Sequence, residues 1–307
     1  KMNILLVAFA IGLLVPAVII FMKENMNTKV RGRKDLENLS IPFIGEIPQY
    51  LSAKKKLGFD KHTQSVMKAI VVKEGNRNII NEAFRVLRSN IDFMAGKDSG
   101  QNVFMLTSFN PGSGKSFLAM NIAMSFAIKK KRILVIDGDL RHGSTSSYVD
   151  SPKTGLSDYL GNRVSDWKEI IVKDEKYDNL HIIPIGTVPP NPTELLEDGK
   201  LATLLRSEYD YIFIDCPPID IVADAQIIEK LADRTVFVVR SGLLDRSMLP
   251  ELENIYQEKR FKNLSVILNG TESAGGRYGY RYGYRNGYSS YYGNKGKMGG
   301  GKWMVIK

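Results

Sequence analysis

The sequence predicts an α/β fold: a largely parallel sheet flanked by helices, preceded by one transmembrane helix. Three observations predict it. Short aliphatic runs alternate with helically spaced segments from residue 79 to residue 270. A glycine-rich turn joins the first of those runs to the helix after it, and two later runs end in aspartate. Ahead of them, Asn3 to Met22 is a 20-residue stretch without a charged side chain.

That stretch is the first element. At about 1.5 Å rise per residue it covers a hydrocarbon core of roughly 30 Å, and a spanning helix tolerates a proline such as Pro16. A secretory leader would place its basic cluster before the apolar run. Here the cluster follows: Lys23, Lys29, Arg31, Arg33 and Lys34. The positive-inside rule then puts everything after residue 22 in the cytoplasm. Residues 23–62 read as a juxtamembrane linker, in which Ile41-Pro-Phe-Ile-Gly-Glu-Ile-Pro48 is too interrupted by Pro and Gly for a long element.

Helical spacing covers Ile79–Met94. Strands are expected at Val103–Thr107, Ile133–Ile136, Leu180–Pro184, Tyr211–Ile214, Thr235–Val239 and Leu264–Leu268, and helices at Ser116–Lys129, Ala223–Leu231 and Ser247–Phe261. Unbroken aliphatic strands separated by helices are what a parallel sheet covered on both faces requires. One domain is expected over residues 63–270, followed by a flexible tail, 271–307.

The tail holds half of the chain's 14 tyrosines: Tyr278, Tyr280, Tyr282, Tyr284, Tyr288, Tyr291 and Tyr292. Gly and Arg are interleaved with them, so this stretch cannot bury enough apolar surface to offset the entropy of ordering it. From Arg277 to Lys307 there are seven Lys or Arg and no Asp or Glu, which leaves little of the formal net charge of +10 for the rest. The basic balance is therefore local, and no nucleic-acid partner is expected from it. The tail is either a substrate for phosphorylation or an adhesive aromatic segment. The single cysteine, Cys216, excludes an intrachain disulfide, and His62, His142 and His181 lack metal-ligand spacing.

Three motifs carry chemistry. Ser108-Phe-Asn-Pro-Gly-Ser-Gly-Lys-Ser116 joins a strand to a helix. Such a turn aims backbone N–H groups and the positive end of the helix dipole at phosphate. Gly112, Ser113, Gly114, Lys115, Ser116 and Phe117 are its candidate nucleotide-binding residues, with Lys115 on the outer phosphates and the Ser116 hydroxyl on Mg²⁺. Phe109 stands where the strict phosphate-loop pattern has its first glycine. Asp137 and Asp139 follow the strand beginning at Ile133, and Asp215 ends Tyr211-Ile-Phe-Ile-Asp215. Carboxyl ends of parallel strands open on a common crevice, where oxygen ligands suit Mg²⁺. Catalytic candidates are thus Lys115, Asp137, Asp139 and Asp215; metal candidates are Ser116, Asp137 and Asp215. Arg141 is read equally as a phosphate-neutralising cation or a strand-end cap. Thr193 is read as a helix cap, and Cys216 as a packed residue.

In this order the motifs resemble the Walker A, Walker A′ and Walker B set of the bacterial tyrosine autokinases (BY-kinases), which are related to the MinD/ParA group of P-loop ATPases. The lysine that MinD/ParA proteins carry early in the loop is absent from Phe109-Asn-Pro111. Glu82-Ala-Phe-Arg-Val-Leu-Arg88 resembles the family's ExxRxxR oligomerisation motif, and the tail resembles its C-terminal tyrosine cluster. With the preceding span, the whole resembles the cytoplasmic half of a Wzc-like polysaccharide co-polymerase. The resemblance implies a P-loop NTPase-type fold and ATP- and Mg²⁺-dependent phosphorylation of the tail tyrosines. It also implies self-assembly through Glu82, Arg85 and Arg88 into a ring, an octamer among the sizes expected. By the same resemblance, Asn269 contacts adenine, and the location is the bacterial inner membrane with the kinase domain in the cytoplasm. The implied partners are the polysaccharide polymerase and export machinery and a tyrosine phosphatase. A membrane-tethered ATPase switch without kinase activity is the alternative.

Overall fold

The computed structural model describes residues 27–50, 69–96, 100, 102–197, 199–204, 209–219 and 223–272, with positions 9, 12–16 and 18 ahead of them. Those few N-terminal positions are helical. Among the described residues no helix is long and apolar enough to cross a membrane, and the expected span over 3–22 lies mostly outside them. The chain divides after Thr271. The seven tail tyrosines lie outside the described residues.

Eight strands build one sheet: β1 (Phe43–Pro48), β2 (Val103–Thr107), β3 (Ile133–Asp137), β4 (Val172–Lys173), β5 (Leu180–Ile183), β6 (Tyr211–Asp215), β7 (Arg234–Arg240) and β8 (Ser265–Thr271). Their order is β1-β8-β7-β2-β6-β3-β5-β4. Every neighbouring pair is parallel except β4 with β5. The helices that place the site are α1 (Ile79–Ala95), α2 (Lys115–Ala127), α3 (Leu156–Leu160), α4 (Pro192–Glu197), α5 (Lys200–Leu204), α6 (Asp224–Leu231) and α7 (Leu249–Gln257).

β2, β3 and β6 are buried at every position, which is why their sequences are continuous aliphatic runs rather than alternating ones. Successive side chains still serve opposite faces. Val103 and Met105 join one hydrophobic cluster with Ile228 of α6 and Leu252 and Ile255 of α7, while Phe104 and Leu106 join the other with Phe84 and Leu87 of α1 and Leu118 of α2. Each such side chain stabilises the fold by about 1.5–3 kcal/mol relative to exposure. α2 is buried at Lys115 and at every position from Phe117 to Ala127. That is the signature of a helix covered on all sides: α2 lies between the sheet and α1.

β1 corrects the expected linker. Residues 43–48, assigned to the linker over 23–62, pair in parallel with β8 at the edge of the sheet. An edge strand tolerates Pro48 because a ladder donor can be spared there. Gly45 permits close approach of α1, since a Cβ there would meet Leu87 Cδ1 at 3.3 Å. Residues 69–73 are also tied down. Buried Asn121 of α2 accepts from the Val71 and Val72 amides at 2.7 and 3.2 Å and donates to the Ala69 carbonyl at 3.1 Å.

Candidate active site

The register of the sheet assembles the site. Asp215 of β6 pairs with Leu106 of β2 on one side and with Asp137 of β3 on the other. The glycine-rich loop that follows β2 therefore starts in the same row as both carboxylates. Adjacent strands lie about 4.8 Å apart, so the loop, Asp215 and Asp137 stand side by side at the carboxyl edge.

The loop turns through Gly112 (φ 73°) and Gly114 (φ 92°), a left-handed region that glycine enters without steric cost. Phe109, the departure from the strict pattern, is buried and packs edge-to-face on Phe237 of β7, with ring centroids 4.9 Å apart. Its ring anchors the loop in the core. Two side chains hold the loop from outside. Asn269 Nδ2 of β8 donates to the Ser113 carbonyl at 2.9 Å, and Arg240 Nη1 of β7 donates to the Gly112 carbonyl at 2.5 Å. Arg240 and Asn269 are register partners. With these carbonyls bound on one side, the N–H groups leading into α2 remain for an anion.

Lys115 is buried at the start of α2, and its Nζ lies 3.3 Å from Ser108 Oγ. Burial holds its ammonium below the ordinary lysine range, opposed by the nearby charges of Asp215 and Asp139. Asp215 is raised above the usual carboxylate range by burial, opposed by Lys115 and by hydrogen bonds from Ser116 and Thr145. The Thr145 hydroxyl donates to Asp215 Oδ2 at 2.8 Å. Asp137 Oδ2 accepts from the Ser146 amide and hydroxyl at 2.6 and 2.7 Å. Burial, then repulsion from Asp215, raises Asp137 to about 8. The second oxygens, Asp137 Oδ1 and Asp215 Oδ1, are buried without a hydrogen-bond partner.

Two repelling carboxylates, each with an unsatisfied oxygen and beside a serine hydroxyl, fit a divalent cation. Among the described residues no group of three or more His, Cys, Asp or Glu could hold a metal by itself. The set suits Mg²⁺, which takes one or two carboxylates and completes its shell with phosphate and water. Asp139 lies nearer the surface, its Oδ1 accepting from the Arg141 amide at 3.3 Å and 3.2 Å from His142 Nδ1.

Other expected residues are placed less simply. The Phe117 side chain turns into the core against Phe84 of α1, ring centroids 6.0 Å apart, so only its backbone faces the loop side. Arg141 Nε donates to buried Asp224 at 3.1 Å, and the Thr193 hydroxyl donates to the same carboxylate at 2.7 Å instead of capping α4. Arg141 thus ties the turn after β3 to α4 and α6. Cys216 is fully buried, its thiol pushed well up by burial, as a packed residue should be. Glu82 and Arg85 pair across one turn of α1, whereas Arg88 Nη1 reaches the Ser125 carbonyl of its own α2 at 2.8 Å. Arg240 escaped the sequence reading: only the adjacency of β7 to β2 brings it to the loop.

The family model described as "AAA domain" matches residues 101–241, the span from the start of β2 to the end of β7. Tyrosine-protein kinase YwqD of Bacillus subtilis is 35% identical over 210 residues, covering 66% of this chain and 87% of that protein. Tyrosine-protein kinase wzc of Salmonella typhimurium is 32% identical over 285 residues, covering 88% of this chain but 38% of that protein. The chain thus spans about two fifths of its longer curated relatives. Among solved structures, the kinase domain of the Escherichia coli tyrosine kinase ETK superposes with a TM-score of 0.68 at 28% identity, over 83% of this chain and all of that one. This chain, with its phosphate loop and paired carboxylates on a largely parallel sheet, is similar to YwqD along most of that protein's length and belongs to the bacterial tyrosine-protein kinases.

Proposed function

We propose that this chain is an Mg·ATP-dependent tyrosine autokinase whose acceptors are Tyr278, Tyr280, Tyr282, Tyr284, Tyr288, Tyr291 and Tyr292, presented by a neighbouring copy. The observation that carries this reading is the row formed by the glycine-rich loop, Asp215 and Asp137, with two unsatisfied carboxylate oxygens facing no protein donor. Gly112, Ser113, Gly114, Lys115, Ser116 and the Phe117 amide hold the phosphates, and Asn269 contacts adenine. Ser116, Asp137 and Asp215 hold Mg²⁺, which when bound neutralises phosphate charge. Asp139 or Asp137 orients the tyrosine hydroxyl and accepts its proton as the phenolic oxygen attacks the γ-phosphorus and the bond to the β-phosphate oxygen breaks. Of the two, Asp139 is the more accessible. Such transfer depends on positioning and charge stabilisation more than on covalent chemistry.

The wider assembly follows the resemblance: a spanning helix over 3–22, the kinase domain on the cytoplasmic side, and a ring built through Glu82, Arg85 and Arg88. Within this proposal the polymerase, export machinery and phosphatase are partners in assembling a capsular or exopolysaccharide. Phosphorylation would reverse the tail's charge. At about −1.5 to −2 per phosphate, five phosphotyrosines add roughly −8 to −10 against the seven tail cations.

Phosphosite mapping after incubation with Mg·ATP tests the proposal. The native chain should carry phosphate on the tail cluster, and Lys115→Met should carry none. A native chain without phosphotyrosine that still hydrolyses ATP would instead be an ATPase switch. The loop clamp gives a second expectation. Losing a charge-assisted bond of about 1.5 kcal/mol, Arg240→Ala should raise the KM for ATP about tenfold and change kcat by less than about threefold. Steady-state kinetics in varied ATP measures both.

A further inference from the structure

Arg85 and Arg88 open onto a concavity of about 350 Å³ formed by α1, the C-terminal end of α2 and the segment preceding α1. Its walls carry Lys73, Arg77, Arg85, Arg88 and Lys129, and Glu74 is the one carboxylate lining it. This cavity uses none of the residues of the nucleotide site.

The walls are built rather than loose. The Lys73 amide donates to Asn81 Oδ1 at 2.8 Å, and Asn81 Nδ2 donates to the Val71 carbonyl at 3.1 Å. Asn121 holds the amides of Val71 and Val72 from beneath. Arg88 is half-buried, and its Nη1 bonds the neutral Ser125 carbonyl at 2.8 Å and hydroxyl at 3.4 Å. A guanidinium has five N–H donors, so its Nε and Nη2 edge is left for a planar or tetrahedral oxyanion. Burial, then repulsion from Arg85, holds Arg88 below the ordinary arginine range, opposed by attraction from Asp92. Arg85 is itself held by Glu82 and by the Asn76 carbonyl at 2.7 Å, so a dianion on the open edge of Arg88 is what would relieve that repulsion.

We propose that this concavity binds phosphotyrosine, presented by residues 277–292 of a second copy of the chain. The inference rests on the kinase reading, because that reaction produces the ligand. Its size suits one phosphorylated side chain and not a nucleic-acid backbone. Its charge also gives it the opposite preference to the active site. The unmodified tail, with seven cations and no carboxylate from Arg277 to Lys307, is repelled here and attracted to Asp139, the most accessible of the three active-site carboxylates. The multiply phosphorylated tail reverses both preferences. Because Arg85 and Arg88 belong to the segment assigned to subunit contact, a bound phosphotyrosine would compete with that contact.

The test uses synthetic peptides of residues 277–292, unmodified or phosphorylated at Tyr288, Tyr291 and Tyr292. Fluorescence anisotropy follows their binding to the full chain carrying Lys115→Met. The phosphorylated peptide should bind at least tenfold more tightly than the unmodified one. Adding Lys73→Glu with Lys129→Glu, both exposed and outside the core, should weaken it at least tenfold. Inorganic phosphate at the peptide's concentration should not displace it. Equal binding of the two peptides, affinity unchanged in the double variant, or full displacement by inorganic phosphate would each overturn the proposal. Because the peptides are synthetic, these outcomes do not depend on kinase activity. Autophosphorylation of the native chain, measured separately, tests that reading alone.

Discussion

Replacing Asp137 with Asn is expected to stabilise the nucleotide-free chain and to inactivate it. Asp137 is fully buried beside buried Asp215, and burial and repulsion raise it from 3.8 to about 8. Between those values the folded carboxyl keeps a proton that the unfolded one has lost. The native chain should therefore be most stable, from this group, below about pH 4, and lose that contribution as pH rises through 8. The full displacement corresponds to at most about 5–6 kcal/mol. Coupling to Asp215 and weaker bonds from Ser146 reduce the expected gain for Asn to about 2 kcal/mol at pH 8. Urea midpoints at pH 5 and pH 8 measure it: the variant's advantage should grow with pH. An Asn variant less stable than the parent at both values would show that the buried pair is not strained. Autophosphorylation should fall at least about 10²-fold, the usual loss when one preorganised electrostatic group is removed.

Gly114→Ala should damage both nucleotide binding and the fold. Gly114 lies at φ 92°, ψ 25°, where a Cβ costs about 1–2 kcal/mol. That Cβ would also sit 2.2 Å from Asn269 Nδ2, displacing the amide from the Ser113 carbonyl at about 1 kcal/mol more. A total loss near 2–3 kcal/mol is expected in denaturant unfolding, with ATP affinity lowered at least tenfold because the N–H groups lose their common aim. The double variant with Asn269→Ala should recover part of the stability, since the clash is then gone. Strictly additive losses would mean that Asn269 does not press on the loop.

The parts of the fold legible in sequence were those whose burial is complete. β2, β3 and β6 read as strands because both faces of the sheet are covered, leaving no polar positions to blur the pattern. β1 was hidden for the opposite reason: it lies at the edge, carries Gly45 and Pro48, and gains its strand character from pairing with β8. The site divides along the same line. Asp137 and Asp215 end strands, and Lys115 and Ser116 open the helix after the glycine-rich turn, so local sequence announces them. Arg240 ends β7 and Asn269 lies in β8; both reach the loop because β7 lies beside β2 and β8 beside β7, and Asn269 was expected only by resemblance. Phe109 looked like a defect in the motif; its partner Phe237 is 128 positions away, and only packing reveals the anchor.

The pairing of Asp137 with Asp215 has a consequence for how such a chain can diverge. Their spacing is an interval of the backbone ladder, set by hydrogen bonds that every residue type except proline can make. Side chains elsewhere can be exchanged without altering that interval, as long as the strands keep their register. About one residue in three is shared with YwqD. The interval between the strands that carry the two carboxylates is a unit of measure that does not depend on which side chains surround it.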